Sequence, residues 1–197
     1  MNQVKKKHWE PIFARLVSRM FDPTVEIPLA ILFAIYLTVR EGIRWRFLGV
    51  ILFIDLVVPF IFFLTMLYHR QITEWDVRDK RQRIPLYFFT MLCHLGGVWL
   101  AYALGREELA RMLLVFWAMG VVFAGVTIFW KISIHGGVNS FLITFINYFY
   151  DWKYLWMYAI LLLVGWARVA DRHHDLPQYI VGCVLGAAGV VVGLMWG

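Results

Sequence analysis

Charge is scarce in this chain: Asp, Glu, Lys and Arg make up 16% of its 197 residues, against 61% hydrophobic and 18% aromatic. A soluble domain of this length needs more polar surface than that, so the composition excludes one and leaves an integral membrane protein. Cysteine is scarcer still, with Cys93 and Cys183 each inside an apolar run and no CxxC or Cys/His spacing. Neither a disulfide framework nor a zinc site is indicated. No internal repeat or low-complexity tract appears. The start, MNQVKKKHWEPIFARLVSRMFDP, has basic residues but no uninterrupted apolar run before Pro23, so a cleavable signal is not expected. The net charge of +6 does not call for nucleic acid. Basic residues of membrane proteins collect in cytoplasmic loops and meet anionic headgroups.

Long hydrophobic runs stand in place of charge. Residues 84–105, 112–130 and 176–197 contain no Asp, Glu, Lys or Arg, and each can cross a hydrocarbon core of ~30 Å as a helix. Apolar runs set against charged breaks predict spans near 24–39, 47–68, 85–104, 112–130, 133–150, 154–167 and 177–196. The expected fold is all-α: a polytopic membrane helical bundle of seven transmembrane helices, or six if one short run is re-entrant. An amphipathic helix over 1–22 precedes it, with Trp9, Ile12, Phe13, Leu16, Val17 and Met20 near helical spacing and Lys5, Lys6, Lys7, Arg15 and Arg19 for headgroups. Residues 23–197 then form one membrane-embedded domain.

The loops differ in character. Those at 40–46, 105–111 and 151–153 read as tight connections, whereas 69–85, 130–137 and 167–178 hold most of the polar chemistry. Two spans separate each polar loop from the next, so all three emerge on one membrane face. The N-terminus falls on that face too, and its Lys and Arg residues mark it as cytoplasmic.

Within those loops, His174 and Gln178 would share a helix face on the helix starting near Leu176 and Pro177, with Arg168 just across the turn. Lys131, Ser133 and His135 stand before Gly136 and Gly137 at the start of another helix, whose free backbone N–H groups favour an anion. Lys80, Arg81 and Arg83 precede Pro85, which fits the first turn of the span after it. Fixed positive charge, a helix N-terminus and several imidazoles suit phosphoryl transfer. Cations hold the oxygens, one imidazole attacks phosphorus and another protonates the leaving oxygen. A neutral His is a competent nucleophile because its unperturbed pKa is about 6.5. This chemistry needs no metal or cofactor.

The stretch ARVADRHHDLPQ at 167–178, with ISIH at 132–135 and Arg83-Ile84-Pro85, resembles the type 2 phosphatidic acid phosphatase superfamily, membrane lipid phosphatases with a haloperoxidase-like fold. The resemblance covers roughly 70–190. It implies that Arg168 binds phosphate, that His174 is the nucleophile and that Gln178 stands where the family has Asp. It further implies that Ser133 contacts phosphate and that His135 is the general acid. Ile132 and Ile134 replace the family's Pro and Gly, so the anion-binding turn would draw on Lys131 or Gly136. The Lys expected before Arg83 falls on Asp76, leaving Lys80 as its substitute. A Gln can fix the tautomer of the nucleophilic His but adds no charge, so Gln178→Asp is expected to retain or raise activity, with Asp171 or Asp175 as other carboxylates within range. The substrate implied is a lipid phosphate or diphosphate in a bacterial or archaeal cell membrane. Surrounding membrane lipids are the other partners, with no nucleic acid, and a homo-oligomer stays open.

His173 reads as a phosphate or headgroup contact, His69 as interfacial and His94 as core; Arg70, Arg78 and Arg81 read as phosphate ligands or topology signals. Glu26 and Asp55 lie in or near apolar runs and read as structural, paired for instance with Arg40, while Asn139 and Asn147 read as interhelical hydrogen-bonders. A rival class is an intramembrane prenyltransferase, with WDVRDKRQRIP as an Asp-rich motif and Asp171 with Asp175 as a second, using magnesium. Another is a non-catalytic lipid-binding member of the family.

Overall fold

The computed structural model describes residues 10–73, 77, 80–171 and 174–195, with the main chain alone at 10, 11 and 80. Its regular elements are all helical: α1 Glu10–Met20, α2 Pro23–Thr38, α3 Glu41–Leu52, α4 Val58–Tyr68, α5 Lys80–Ala103, α6 Glu107–Phe129, α7 Ile134–Phe149, α8 Tyr158–Ala170 and α9 Leu176–Met195. A π-helical segment, Phe53–Val57, joins α3 to α4, and a short 3-10 turn, Leu155–Met157, leads into α8. Among the described residues, five stretches are long and apolar enough to cross a membrane: Ile12–Thr38, Glu41–Tyr68, Arg81–Ala103, Glu107–Phe129 and Leu176–Met195. The chain is a helical membrane protein. Large apolar side chains lie on its outside, Phe129 at 87% and Leu162 at 77% exposure, as lipid-facing surfaces require.

Two expected spans, 133–150 and 154–167, form α7 and α8, at 16 and 13 residues shorter than the ~20 a crossing helix needs. Elsewhere the helices reach further into charged sequence than the apolar runs suggested. The stretches 40–46 and 105–111, expected as tight loops, are helical from Glu41 and Glu107 onward, and α5 begins at Lys80, placing Pro85 inside the helix instead of in its first turn. Acidic residues in a first turn suit the positive end of the helix, as Glu107 and Glu108 do in α6.

The chain divides into two compact units. One holds the N-terminal segment through Ile27 together with Ile132–Val192; the other holds Pro28–Lys131 and the end from Gly193. The division falls at Pro28, inside α2, where the ring has no N–H for the helical ladder.

In the first unit, α7 lies innermost. Gly136, Gly137, Asn139, Ser140, Phe141, Leu142, Ile143, Thr144, Phe145 and Asn147 are all buried, which is why its polar residues are matched to main-chain partners. Ser140 Oγ donates to Cys183 O at 2.7 Å, and Asn147 Nδ2 donates to Tyr154 O at 3.2 Å. The latter holds a turn in which Asp151 and Trp152 adopt φ of 51° and 60°. Each L-residue in that region costs roughly 1–2 kcal/mol. The helix α9 meets α7 main chain to main chain: a methyl on Gly182 would stand 2.5 Å from Ser133 O, and one on Gly186 would overlap Gly137 O. Tyr179 lies across Gly165 of α8 and donates its hydroxyl to Leu161 O at 2.6 Å. The helix α1 packs on α8 through Ala14, Val17 and Ala167, with Phe13 and Trp166 rings 5.8 Å apart. Of its apolar stripe Val17 faces inward, whereas Ile12, Leu16 and Met20 stay exposed.

In the second unit, α5 and α6 form an antiparallel hairpin tied by Trp117 Nε1 donating to Met91 O at 3.1 Å. The helix α4 packs on α5 with Phe62 and Phe89 stacked at 4.1 Å.

Candidate functional site

The first unit assembles the second and third polar loops around two helix starts. Asp175 precedes α9, and its Oδ1 accepts from Gln178 N at 2.9 Å, while Gln178 Oε1 accepts from Asp175 N at 3.4 Å. This reciprocal pair is a capping box, in which the residue before the helix and the third residue within it satisfy each other's orphan N–H groups. Gln178 Oε1 also lies 3.0 Å from His174 Nδ1.

The cap decides the chemistry of that contact. A backbone N–H can only donate, so the Gln178 atom facing Asp175 N must be its oxygen. An oxygen cannot donate to an imidazole, so Nδ1 of His174 carries the proton and Nε2 is left with the lone pair. The expected orienting role of Gln178 thus has a geometric basis, and Asp175, considered as a substitute carboxylate, is engaged in capping.

The main chain of Gln178 joins this turn to α7: its carbonyl accepts from Ser133 N at 3.2 Å. Ser133 is the N-cap of α7, fully buried, with its Oγ accepting from Gly136 N at 3.3 Å. Two residues expected to contact phosphate take part in the cap itself. The Gly136 N–H goes to the cap, and the Gly136 α-carbon is pressed against Tyr179 and Cys183, with a methyl there 3.0 Å from Tyr179 O. Ser133 holds the start of the helix, and Gly136 permits the approach of α9. Lys131, by contrast, is exposed just ahead of the cap.

His135 sits in the first turn of α7, its side chain 15% exposed, with Nε2 3.4 Å from Asp22 Oδ2. Asp22 lies in the break between α1 and α2, where Oδ1 accepts from Thr24 N at 2.9 Å and Thr24 Oγ1 at 2.7 Å. Asn139 Nδ2 fastens that break to α7, donating to both Phe21 O and His135 O at 2.9 Å. An acidic group therefore faces the second imidazole from the break between the N-terminal helix and the first span. The signal for Asp22 as a cap was present in Asp-Pro-Thr; its approach to His135 was not.

Arg168 lies in the last turn of α8 and is 7% exposed, and its carbonyl accepts from His174 N at 3.4 Å. The first unit thus unites Arg168, His174, Gln178, Ser133 and His135, with Asp22 added. Arg83 belongs to the second unit, where its Nε donates to Val77 O at 2.5 Å. The main chain of Lys80 opens α5 in that unit, and its side chain lies outside the described atoms, as do His173, Asp76 and Arg78. Asp55 pairs with His94 instead of Arg40. No family model, curated protein or solved structure matches the chain.

Proposed function

We propose that the chain is a membrane lipid phosphatase, hydrolysing a lipid phosphate or diphosphate such as phosphatidic acid, phosphatidylglycerol phosphate or a polyprenyl diphosphate. The observation that carries the reading is the contact of His174 Nδ1 with Gln178 Oε1, which puts the lone pair of the neutral ring on Nε2, in a unit that also holds the buried Arg168. Helix N-termini and a guanidinium favour an anion, and a phosphate monoester is an anion with a leaving oxygen.

In this mechanism the lone pair of His174 Nε2 attacks phosphorus, and the bond to the lipid oxygen breaks. His135 gives its proton to that oxygen, and the alcohol or lipid phosphate departs. His135, now neutral, takes a proton from water as the water attacks the phosphohistidine, freeing phosphate and restoring His174. Asp22 Oδ2 lies 3.4 Å from Nε2 of His135 and faces the imidazole that exchanges this proton. Arg168 balances charge on the phosphoryl oxygens. Every residue used lies in the first unit.

A phosphate-release screen over a lipid panel, in detergent and in liposomes, with and without EDTA, tests the proposal. Release that withstands EDTA and falls by at least about three orders of magnitude in His174→Ala is the expected result. Unchanged release from that variant overturns the mechanism. Magnesium-dependent transfer points to the prenyltransferase class, and folded protein inert on every lipid points to a binding protein.

A further inference from the structure

The second unit carries a polar pair that the proposed phosphatase does not use. His94 lies near the middle of the stretch Arg81–Ala103 and Asp55 near the middle of Glu41–Tyr68, and both stretches are apolar enough to cross a membrane. Their side chains are 8% and 4% exposed, with His94 Nδ1 2.5 Å from Asp55 Oδ2. On its far side His94 Nε2 lies 2.9 Å from Leu113 O of α6. One imidazole therefore ties three helical stretches together. Asp55 sits inside the π-helical segment Phe53–Val57, a local widening that turns its carboxyl toward α5. Such segments in otherwise regular helices occur frequently at functional sites.

Counting protons fixes the state of the pair. A backbone carbonyl only accepts, so His94 Nε2 must carry hydrogen. Nδ1 and Oδ2 then need one proton between them: with none, two lone pairs oppose each other at hydrogen-bond distance. With one, the pair is net neutral, either as acid and imidazole or as carboxylate and imidazolium. Neutrality matters here, because an uncompensated charge in hydrocarbon costs several kcal/mol. The second carboxyl oxygen, Asp55 Oδ1, is buried with no hydrogen-bond partner among the described residues and faces Gly97, where a methyl would stand 3.3 Å away. No donor is there to compensate a carboxylate that has lost the shared proton.

We propose that Asp55 and His94 form a second site, which binds one proton within the membrane-spanning part of this unit and makes the ties of α5 to the π-helical segment and to α6 depend on it. Losing the proton leaves one hydrogen for two acceptors, the Asp55 carboxylate and the Leu113 carbonyl, so one of the two ties opens; regaining it restores both. Cys93 of α5 is a titratable group within electrostatic range of Asp55, and α6 presents to the pair the Leu113 carbonyl. The site takes a proton as its ligand and is independent of the phosphatase reading, since none of its residues enters that mechanism.

The test compares full-length wild type with Asp55→Asn and Asp55→Ala in lipid nanodiscs. The Asn amide can donate to a bare Nδ1 while His94 keeps its Nε2–H, so this variant preserves the tie without the exchangeable proton. In 15N spectra of labelled histidine, His94 Nδ1 should share a proton in wild type and be a bare acceptor in Asp55→Asn. Hydrogen exchange over 53–57 and around Leu113, corrected for intrinsic rates, should match in the two proteins at acid pH, and in one of the two segments should rise about tenfold higher in wild type as the pH is raised. Asp55→Ala should exchange faster than either at acid pH. A bare Nδ1 in wild type, identical exchange in wild type and Asp55→Asn across the whole series, or Asp55→Ala as protected as wild type would each overturn the proposal.

Discussion

In the first unit, buried polar side chains are turned on the main chain: Asn139 holds Phe21 O, Ser140 holds Cys183 O, Asn147 holds Tyr154 O and Ser133 caps α7. In the second, Thr127 and Trp117 likewise bond main-chain carbonyls, but the buried Asp55 and His94 answer each other side chain to side chain. The helices differ to match. Those of the second unit are long enough to cross a bilayer and pack through large side chains such as Phe62 and Phe89, whereas α7 and α8 are short and α9 touches α7 through glycine. A site built on main-chain ties is rigid, because each tie fixes a whole turn. One built on two titratable side chains responds to protons. That contrast teaches where chemistry and where switching belong in this fold.

The contrast can be broken in order of size. Replacing His174 by Ala removes the proposed nucleophile, and phosphate release should fall by at least about three orders of magnitude while the thermal midpoint stays near wild type; His94→Ala in the other unit should leave release measurable. Next comes the glycine seam. Gly186→Ala forces a methyl into the Gly137 carbonyl and should destabilise the protein by about 1–3 kcal/mol in denaturant titrations. Gly96→Ala, where a methyl meets nothing within 4 Å, should be neutral or stabilising by up to about 1 kcal/mol. Equal effects of the two would erase the distinction between main-chain and side-chain packing.

Smaller effects sharpen the picture. Asp22→Asn keeps the contacts of Thr24 but removes the charge beside His135, and should lower kcat about tenfold, some 1.4 kcal/mol of barrier, with little change in stability. Gln178→Glu keeps the length needed to reach both Asp175 N and His174 Nδ1 and adds a negative charge, so a rise of about threefold in kcat is expected, within the range typical of a charge-assisted hydrogen bond. Gln178→Asp tests the same charge on a side chain one methylene shorter; kinetics that fall below those of Gln178→Glu would show that reach matters as much as charge.

What could be read from the sequence was local. The helical class, the apolar runs, the spacing that puts His174 and Gln178 on one face, and Asp-Leu-Pro-Gln as a helix start all depend on residues within a turn of each other. What could not be read was long-range. Nothing in Phe-Asp-Pro says that Asp22 will face His135, and nothing in an apolar run says that a π-helical turn will bring Asp55 to His94. The structural use of Gly136 and Ser133 was hidden for a related reason. A glycine beside a helix start serves equally well for an anion or for a neighbouring helix, and only the position of α9 decides between them. Helix ends ran past the apolar boundaries because long charged side chains can sit on a helix and still reach water.

Gln178 Oε1 serves two donors, one of them the N–H that opens α9 and the other the imidazole of His174. The first turn of a helix is where fraying begins. Warming that frees this turn also frees the ring to exchange its two protonation forms, so the proposed reaction should fade at a temperature below that at which the bundle comes apart, and return on cooling. The molecule thus carries a thermal fuse, set by the melting of a single turn.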